Sequence, residues 1–299
     1  MQTHPVHLLA FATSFAMVGI CTALALGGGA DPLTVVTLRT LGTVALFLLW
    51  FRIAHVHPAL PRRSRAIAAA IGIPLSINNY LLNMAIAEIP VPLVVLLFYL
   101  WPAITTAVSW LSGKERFGWM RLAGLALAFA GIALALNVDF TAAQMKGVWL
   151  ALGAAVAWSA TFLLISHFFH GGDTRQATLH MTATAAVIFV VASVVAGGLV
   201  LPETNVGWAG VLGVPFFYAF AMIGLFVATA RLGPMRVGFT MNFEPIAAVV
   251  LAALILGQRL EPVQLAGGAL VVAALFLFRP PTVSYASRRS AGAGSSRTD

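Results

Sequence analysis

Three ionisable side chains stand inside otherwise apolar stretches of this 299-residue chain: Arg39, His180 and Glu244. Charge in such a setting is costly, so each is a candidate for work on a ligand or an ion. Arg39 could hold a substrate carboxylate. It could equally cap loose carbonyls or pair with an acid, and that structural or gating role is the expected one. His180 reads as a neutral, hydrogen-bonded side chain of the same structural or gating kind. Glu244, directly before Pro245, is the one carboxylate placed well inside an apolar run. It could neutralise a substrate ammonium, carry a proton, or pair with Arg39 or another arginine.

Neutral polar and aromatic residues complete the candidate site. Ser76, Asn79, Tyr80 and Asn83 recur at i, i+3, i+4 and i+7, which places them on one side of a helix. Amides can meet both a carboxylate and an ammonium without a fixed charge in lipid. The alternative use is hydrogen bonding between helices, worth only about 0.6 kcal/mol per bond. Tyr99 and Trp101 flank Pro102, Trp158 and Phe162 lie one turn apart, and Tyr218 follows Pro215. Such rings at mid-depth can wall an apolar pocket and attract an ammonium group. The substrate-binding candidates are therefore Ser76, Asn79, Tyr80, Asn83, Tyr99, Trp101, Trp158, Phe162, Tyr218 and Glu244. No His-Glu-x-x-His, Gly-x-Ser-x-Gly, phosphate-binding glycine loop or cysteine metal set occurs. No catalytic residue, cofactor or metal is expected. A membrane-embedded enzyme is the rival from another class. A channel would want charged rings or an oligomeric polar pore, which this sequence does not present.

The elements that carry these residues must be membrane spans. Hydrophobic residues make up 60% of the chain and charged ones 9%, against about 25% charged in a soluble domain. A folded surface in water could not hide so much apolar area. The formal charge of +8 comes from short basic clusters between apolar runs, a pattern of membrane topology and not of nucleic-acid binding. Ten runs are long enough to cross: 8–28, 32–50, 66–87, 92–111, 118–137, 146–168, 177–200, 207–229, 236–256 and 262–279. The first run has no preceding Lys or Arg and is expected to stay as a span, not to act as a signal peptide. Its Cys21 is expected to pack as a small apolar residue. Residues 280–299, rich in Pro, Ser, Gly and Arg, are expected to be a disordered tail.

With the N-terminus inside, fourteen Lys and Arg residues fall on the cytoplasmic side and two, Lys146 and Arg259, outside. An even number of spans then puts both termini in the cytoplasm. The halves also resemble each other. Leu122-Ala123-Gly124 matches Leu265-Ala266-Gly267, and Pro102 matches Pro245, 143 residues apart. Leu38-Arg39 matches Leu179-His180, and Met17 matches Trp158, 141 residues apart. Each half, 1–140 and 141–279, holds five spans, so the second must lie inverted. Inverted repeats enclose a midplane substrate site and work by alternating access. Pro74, Pro102, Pro215 and Pro245 lie inside spans and free the carbonyl four residues earlier, which should face protein or a wet cavity. Gly124, Ala128, Gly131, Gly267 and Ala274 read as a close-packing surface, within the chain or in a dimer. A monomer is expected, with a dimer open.

These features resemble the drug/metabolite transporter superfamily, EamA type, over essentially the whole chain. They are the ten spans, the paired halves, Arg39, the Pro102/Pro245 pair and the Gly124/Gly267 pair. The family's Gly-x-Glu-Arg turn is present as Gly113-Lys114-Glu115-Arg116, while the second copy, Gly257-Gln258-Arg259, departs from it. Within the family, Tyr99-Leu100-Trp101-Pro102 is similar to the signature of YddG-type aromatic amino-acid exporters. That resemblance implies a basket-shaped all-α fold in the bacterial inner membrane. It further implies a central cavity and export of aromatic or other apolar amino acids, with Tyr99 and Trp101 at the site. Another small metabolite or drug is the alternative cargo within the superfamily.

Overall fold

The computed structural model describes residues 5–55, 57, 60–111, 119–135, 142–169, 174–232 and 241–277. Every regular element among them is helical. In chain order these are α1 (Pro5–Gly27), α2 (Pro32–Ile53), α3 (Arg62–Glu88), α4 (Val91–Phe98), α5 (Trp101–Leu111) and α6 (Trp119–Ala135). Then follow α7 (Ala142–Phe168), α8 (Thr174–Val195), α9 (Asn205–Leu232), α10 (Glu244–Ile255) and α11 (Pro262–Leu277). Seven segments are long and apolar enough to cross a bilayer: α1, α2, α3, the α4–α5 pair, α7, α8 and α9. Two shorter apolar helices, α10 and α11, and the 17-residue α6 take the places of the remaining three expected spans among the described residues. The expected tail and the Gly113–Arg116 turn lie outside the described residues.

Short connections set the helices antiparallel. Between α1 and α2, Gly29 takes φ +102°, and the Asp31 carboxylate accepts the Thr34 N–H at 2.9 Å to cap α2. Between α10 and α11, Gly257 takes φ +65°, a left-handed conformation that explains a glycine at the head of that turn. The adjacent Gln258 Oε1 accepts the Val91 N–H at 3.0 Å and so caps α4 from the other half of the chain. A glutamate is not needed there, because the amide oxygen supplies the acceptor.

The most extensive helix contacts pair up under exchange of the two halves, while those of α3 with α1 and α2 have no counterpart of similar extent among the described residues. α1 lies on α9 as α3 lies on α7. α2 lies on α9 as α3 lies on α8, and α1 on α10 as α4 and α5 lie on α7. The pairs α6–α11, α2–α8 and α4–α10 are their own images. α6 and α11 meet through the small residues expected to pack closely: a Cβ on Gly131 would sit 2.7 Å from the Gly267 carbonyl oxygen. The contact lies within the chain. Between α2 and α8, the Thr37 and Ser193 hydroxyls are 2.9 Å apart. Cys21 is buried with Val18, Ala25, Val211 and Val214.

Two spans differ from the sequence expectation. Pro102 and Pro245 do not kink continuous helices. Each is the second residue of a new helix, α5 or α10, after a turn at Tyr99–Leu100 or Asn242–Phe243. The physical reason is that proline at a helix start has no intrahelical hydrogen bond to lose, whereas mid-helix it would remove one. Pro74 and Pro215 do remain inside α3 and α9, and Pro215 packs on Gly42 of α2.

Candidate substrate site

The break between α4 and α5 puts Trp101 at the first position of α5 and turns its ring toward α7. Its centroid lies 6.5 Å from Trp158, nearly perpendicular, and 5.2 Å from Phe162. Phe98 reaches Trp158 from the other side of the break at 6.3 Å. The backbone is held in the same place, since the Ser159 hydroxyl lies 2.9 Å from the Trp101 carbonyl. Edge-to-face geometry of this kind suits the ring quadrupoles and orders a rigid aromatic wall. Trp101 and Trp158 are partly buried and Phe162 is exposed.

Glu244 holds in α10 the place that Trp101 holds in α5. The Tyr99 hydroxyl crosses between the two broken spans, 2.7 Å from Glu244 Oε2 and 3.0 Å from the Met241 carbonyl oxygen. Met241 is the last helical residue before the turn at Asn242–Phe243, so its carbonyl is one of those a helix end leaves without a backbone donor. The geometry is complete either with the proton shared or with the carboxyl group itself donating to Tyr99.

Arg39 is buried, at 3% exposure, with its guanidinium carbon 4.8 Å from the centroid of the Tyr218 ring. Among the described residues no carboxylate pairs with it, and its Nε has no hydrogen-bond partner. The expected acid partner is therefore not present there. His180, its counterpart in the other half, likewise has a buried Nε2 without a partner, which corrects the expectation of a hydrogen-bonded ring at that atom. Thr43, one turn after Arg39, and Thr182 have buried hydroxyls in the same condition. Tyr218 and Trp158 both pack against the cluster of Phe47, Phe51, Leu179 and Met222, which joins the Arg39 end to the aromatic wall. Phe15 of α1 meets Tyr218 edge-on at 6.2 Å, while the next residue, Ala16, packs on Ala247 and Ala248 of α10.

The polar residues of α3 divide. Ser76, Asn79 and Asn83 are buried, but Ser76 donates to the Gly72 carbonyl at 2.7 Å and Asn83 to the Asn79 carbonyl at 2.8 Å. Asn83 Oδ1 stays buried without a partner. Tyr80 sits with Ile73 and Ile77 on the exposed stripe, not with Asn79. Adjacent residues are about 100° apart on a helix, and the buried face built on Ala68, Ile71 and Leu75 extends to Asn79, not to Tyr80. Asn78, outside the candidate set, ties α3 to α7 by donating to the Ala154 carbonyl at 3.0 Å. Phe15 and Thr43 were also missed, while Phe98 reads from sequence as an aromatic beside Pro102; for Thr43 the signal was its position one turn from Arg39. Pro102 is partly exposed and Pro245 buried, and Gly124 and Gly267 lie buried in the α6 and α11 helices. Two surface grooves, of about 550 and 420 Å³, lie elsewhere: one at Leu81, Trp149 and Lys146, the other between α10 and α11. Their walls are nearly all apolar and contain neither Arg39 nor Trp101.

Apolar helices whose main contacts match between the two halves, with an aromatic cluster and the Tyr99–Glu244 pair where two matched spans are interrupted, have the build of a membrane carrier. The chain belongs to the EamA-like transporter family, whose profile matches residues 5–137 and 145–279. It is 31% identical over 212 residues to the threonine/homoserine exporter RhtA of Escherichia coli (strain K12), covering 68% of each chain. The exporter of the same name from Salmonella typhimurium (strain SL1344) is 30% identical over 210 residues, covering 68% of this chain and 67% of the relative. A protein of known crystal structure shares the fold with a TM-score of 0.61 at 16% identity, over 90% of this chain and 94% of its own.

Proposed function

We propose that this transporter exports amino acids through a cavity between two inverted five-span halves, 1–140 and 141–279, by alternating access. The observation that carries the reading is the aromatic wall of Trp101, Trp158 and Phe162, joined to the Tyr99–Glu244 pair through Phe98, which meets both Trp158 and Tyr99. A zwitterion with an apolar side chain needs those partners: a carboxylate for its ammonium and ring faces for its side chain. Large apolar or aromatic amino acids are the cargo that best uses three rings. Tyr218, Asn79 and Asn83 are assigned to the lining of the same cavity, while Ser76, bonded to its own helix, and Tyr80, on the exposed stripe of α3, fall outside it. The halves rock about the symmetric contacts of α2–α8 and α6–α11. The protein sits in the bacterial inner membrane with both termini cytoplasmic, in accord with the lysine and arginine bias.

Relatives that carry threonine and homoserine in their names favour a second reading, in which smaller hydroxylated amino acids are the cargo. Counterflow in proteoliposomes separates the two. Preloaded L-phenylalanine or L-threonine should drive uptake of its labelled form, and the better of the two identifies the class. No counterflow with any amino acid would end the proposal.

A further inference from the structure

We propose that Arg39, lying over the Tyr218 ring, is the subsite for the carboxylate of the transported amino acid; this rests on the amino-acid export reading. Arg39 is only 3% exposed as a whole residue, and its Nε is fully buried. It has no described carboxylate beside it, and Nε faces no acceptor. A buried charge left so is costly, and a ring face 4.8 Å away offsets only part of that cost. Guanidinium donors form a planar fork that matches a carboxylate. An arriving monoanion would supply the acceptors that the protein withholds.

The neighbours fit the same assignment. The Thr43 hydroxyl, one turn along α2, is buried and unpartnered, so a second neutral donor is within the same helical face. No other cation of the described residues pairs with Tyr218, and one positive charge suits a carboxylate better than a phosphate dianion. Phe15 and Ala16, adjacent on α1, face Tyr218 and α10 respectively. Helix α1 therefore touches both the Tyr218 ring beneath Arg39 and the first turns of α10, the helix that Glu244 begins. Arg39 becomes a recognition residue, not the structural one expected from sequence.

The test is a cycle between protein and ligand. Purified full-length protein in lipid nanodiscs is titrated with L-phenylalanine and L-phenylalaninamide, and with L-threonine and L-threoninamide. In wild type, the acid of the transported pair should bind at least about tenfold more tightly than its amide. Arg39→Gln should weaken the acid by about tenfold and the amide by less than about twofold, while Arg39→Lys falls between. Inorganic phosphate should not compete. Equal weakening of acid and amide would mean that Arg39 only supports the fold, and overturns the subsite. If Arg39→Gln fails to fold, the wild-type acid-to-amide ratio decides, and a ratio near one overturns it. If wild type binds none of the four ligands, the export reading fails and takes the subsite with it.

Discussion

Tyr99 and Glu244, 145 residues apart in sequence, are joined at 2.7 Å across the two interrupted spans. The tyrosine hydroxyl also reaches the carbonyl of Met241, which the helix break at Asn242–Phe243 leaves without a backbone donor. One side chain therefore serves both the candidate substrate carboxylate and the backbone defect that positions it.

Tyr99→Phe should destabilise the protein by about 1–3 kcal/mol, because it strands a buried carbonyl and removes a donor from Glu244. Glu244→Gln should keep the fold, since its amide N–H can donate to Tyr99 while Tyr99 donates to Met241. Thermal melts in detergent compare the two. In transport, Glu244→Gln should weaken substrate several-fold by removing the charge opposite the ammonium. Flux equal to wild type at every external pH would take Glu244 out of the site.

Trp101→Ala removes the ring that touches both Trp158 and Phe162. Loss of its aromatic contacts, about 0.5–1.5 kcal/mol each beyond buried area, should weaken L-phenylalanine by about tenfold. L-Alanine, with no ring to stack, should lose much less. Equilibrium competition on purified protein reads both. Unchanged phenylalanine affinity would place the wall outside the cargo's path.

Gly131→Ala should lower the melting temperature, because its Cβ would lie 2.7 Å from the Gly267 carbonyl and 2.8 Å from the Val271 nitrogen. Backbone cannot yield as a flexible side chain can, so a cost of about 1–3 kcal/mol is expected. Gly27→Ala, with nothing within 4 Å of the new methyl, is the control and should be neutral. Equal melts for the two would mean that α6 and α11 do not pack as closely as described.

What could be read from sequence was whatever depends on composition and length. The ten spans, the close approach of Gly131 to Gly267 and the apolar packing of Cys21 follow from local residue types. The break at Tyr99–Leu100 did not, because proline permits either a kink or a new helix and the choice depends on what accepts the freed carbonyls. Tyr80 was grouped with Asn79 because i, i+3, i+4 and i+7 spans an arc wide enough to hold two faces. Only packing against α7 and α8 decides which of them is buried. Arg39 needed the fold most: whether a buried cation has a partner is a fact about other helices.

Arg62 and Lys146 should face opposite sides of the membrane. α3 starts at Arg62 and ends at Glu88, and its 27 residues at about 1.5 Å each extend about 40 Å, enough to cross a bilayer. Lys146, at the start of α7, is 2.7 Å from Glu88 and 56% exposed. The ion pair contributes little energy at such exposure, but it fixes Lys146 at the far end of α3. Cysteines at Arg62 and at Lys146, each introduced into a Cys21→Ser background, test this with a membrane-impermeant maleimide on intact cells. The Lys146→Cys variant should label from outside, and Arg62→Cys only after the cells are opened, as the basic cluster at 62–65 requires. Labelling of both from one side would break the inverted arrangement, because α3 and α7 would then no longer cross the membrane in opposite senses.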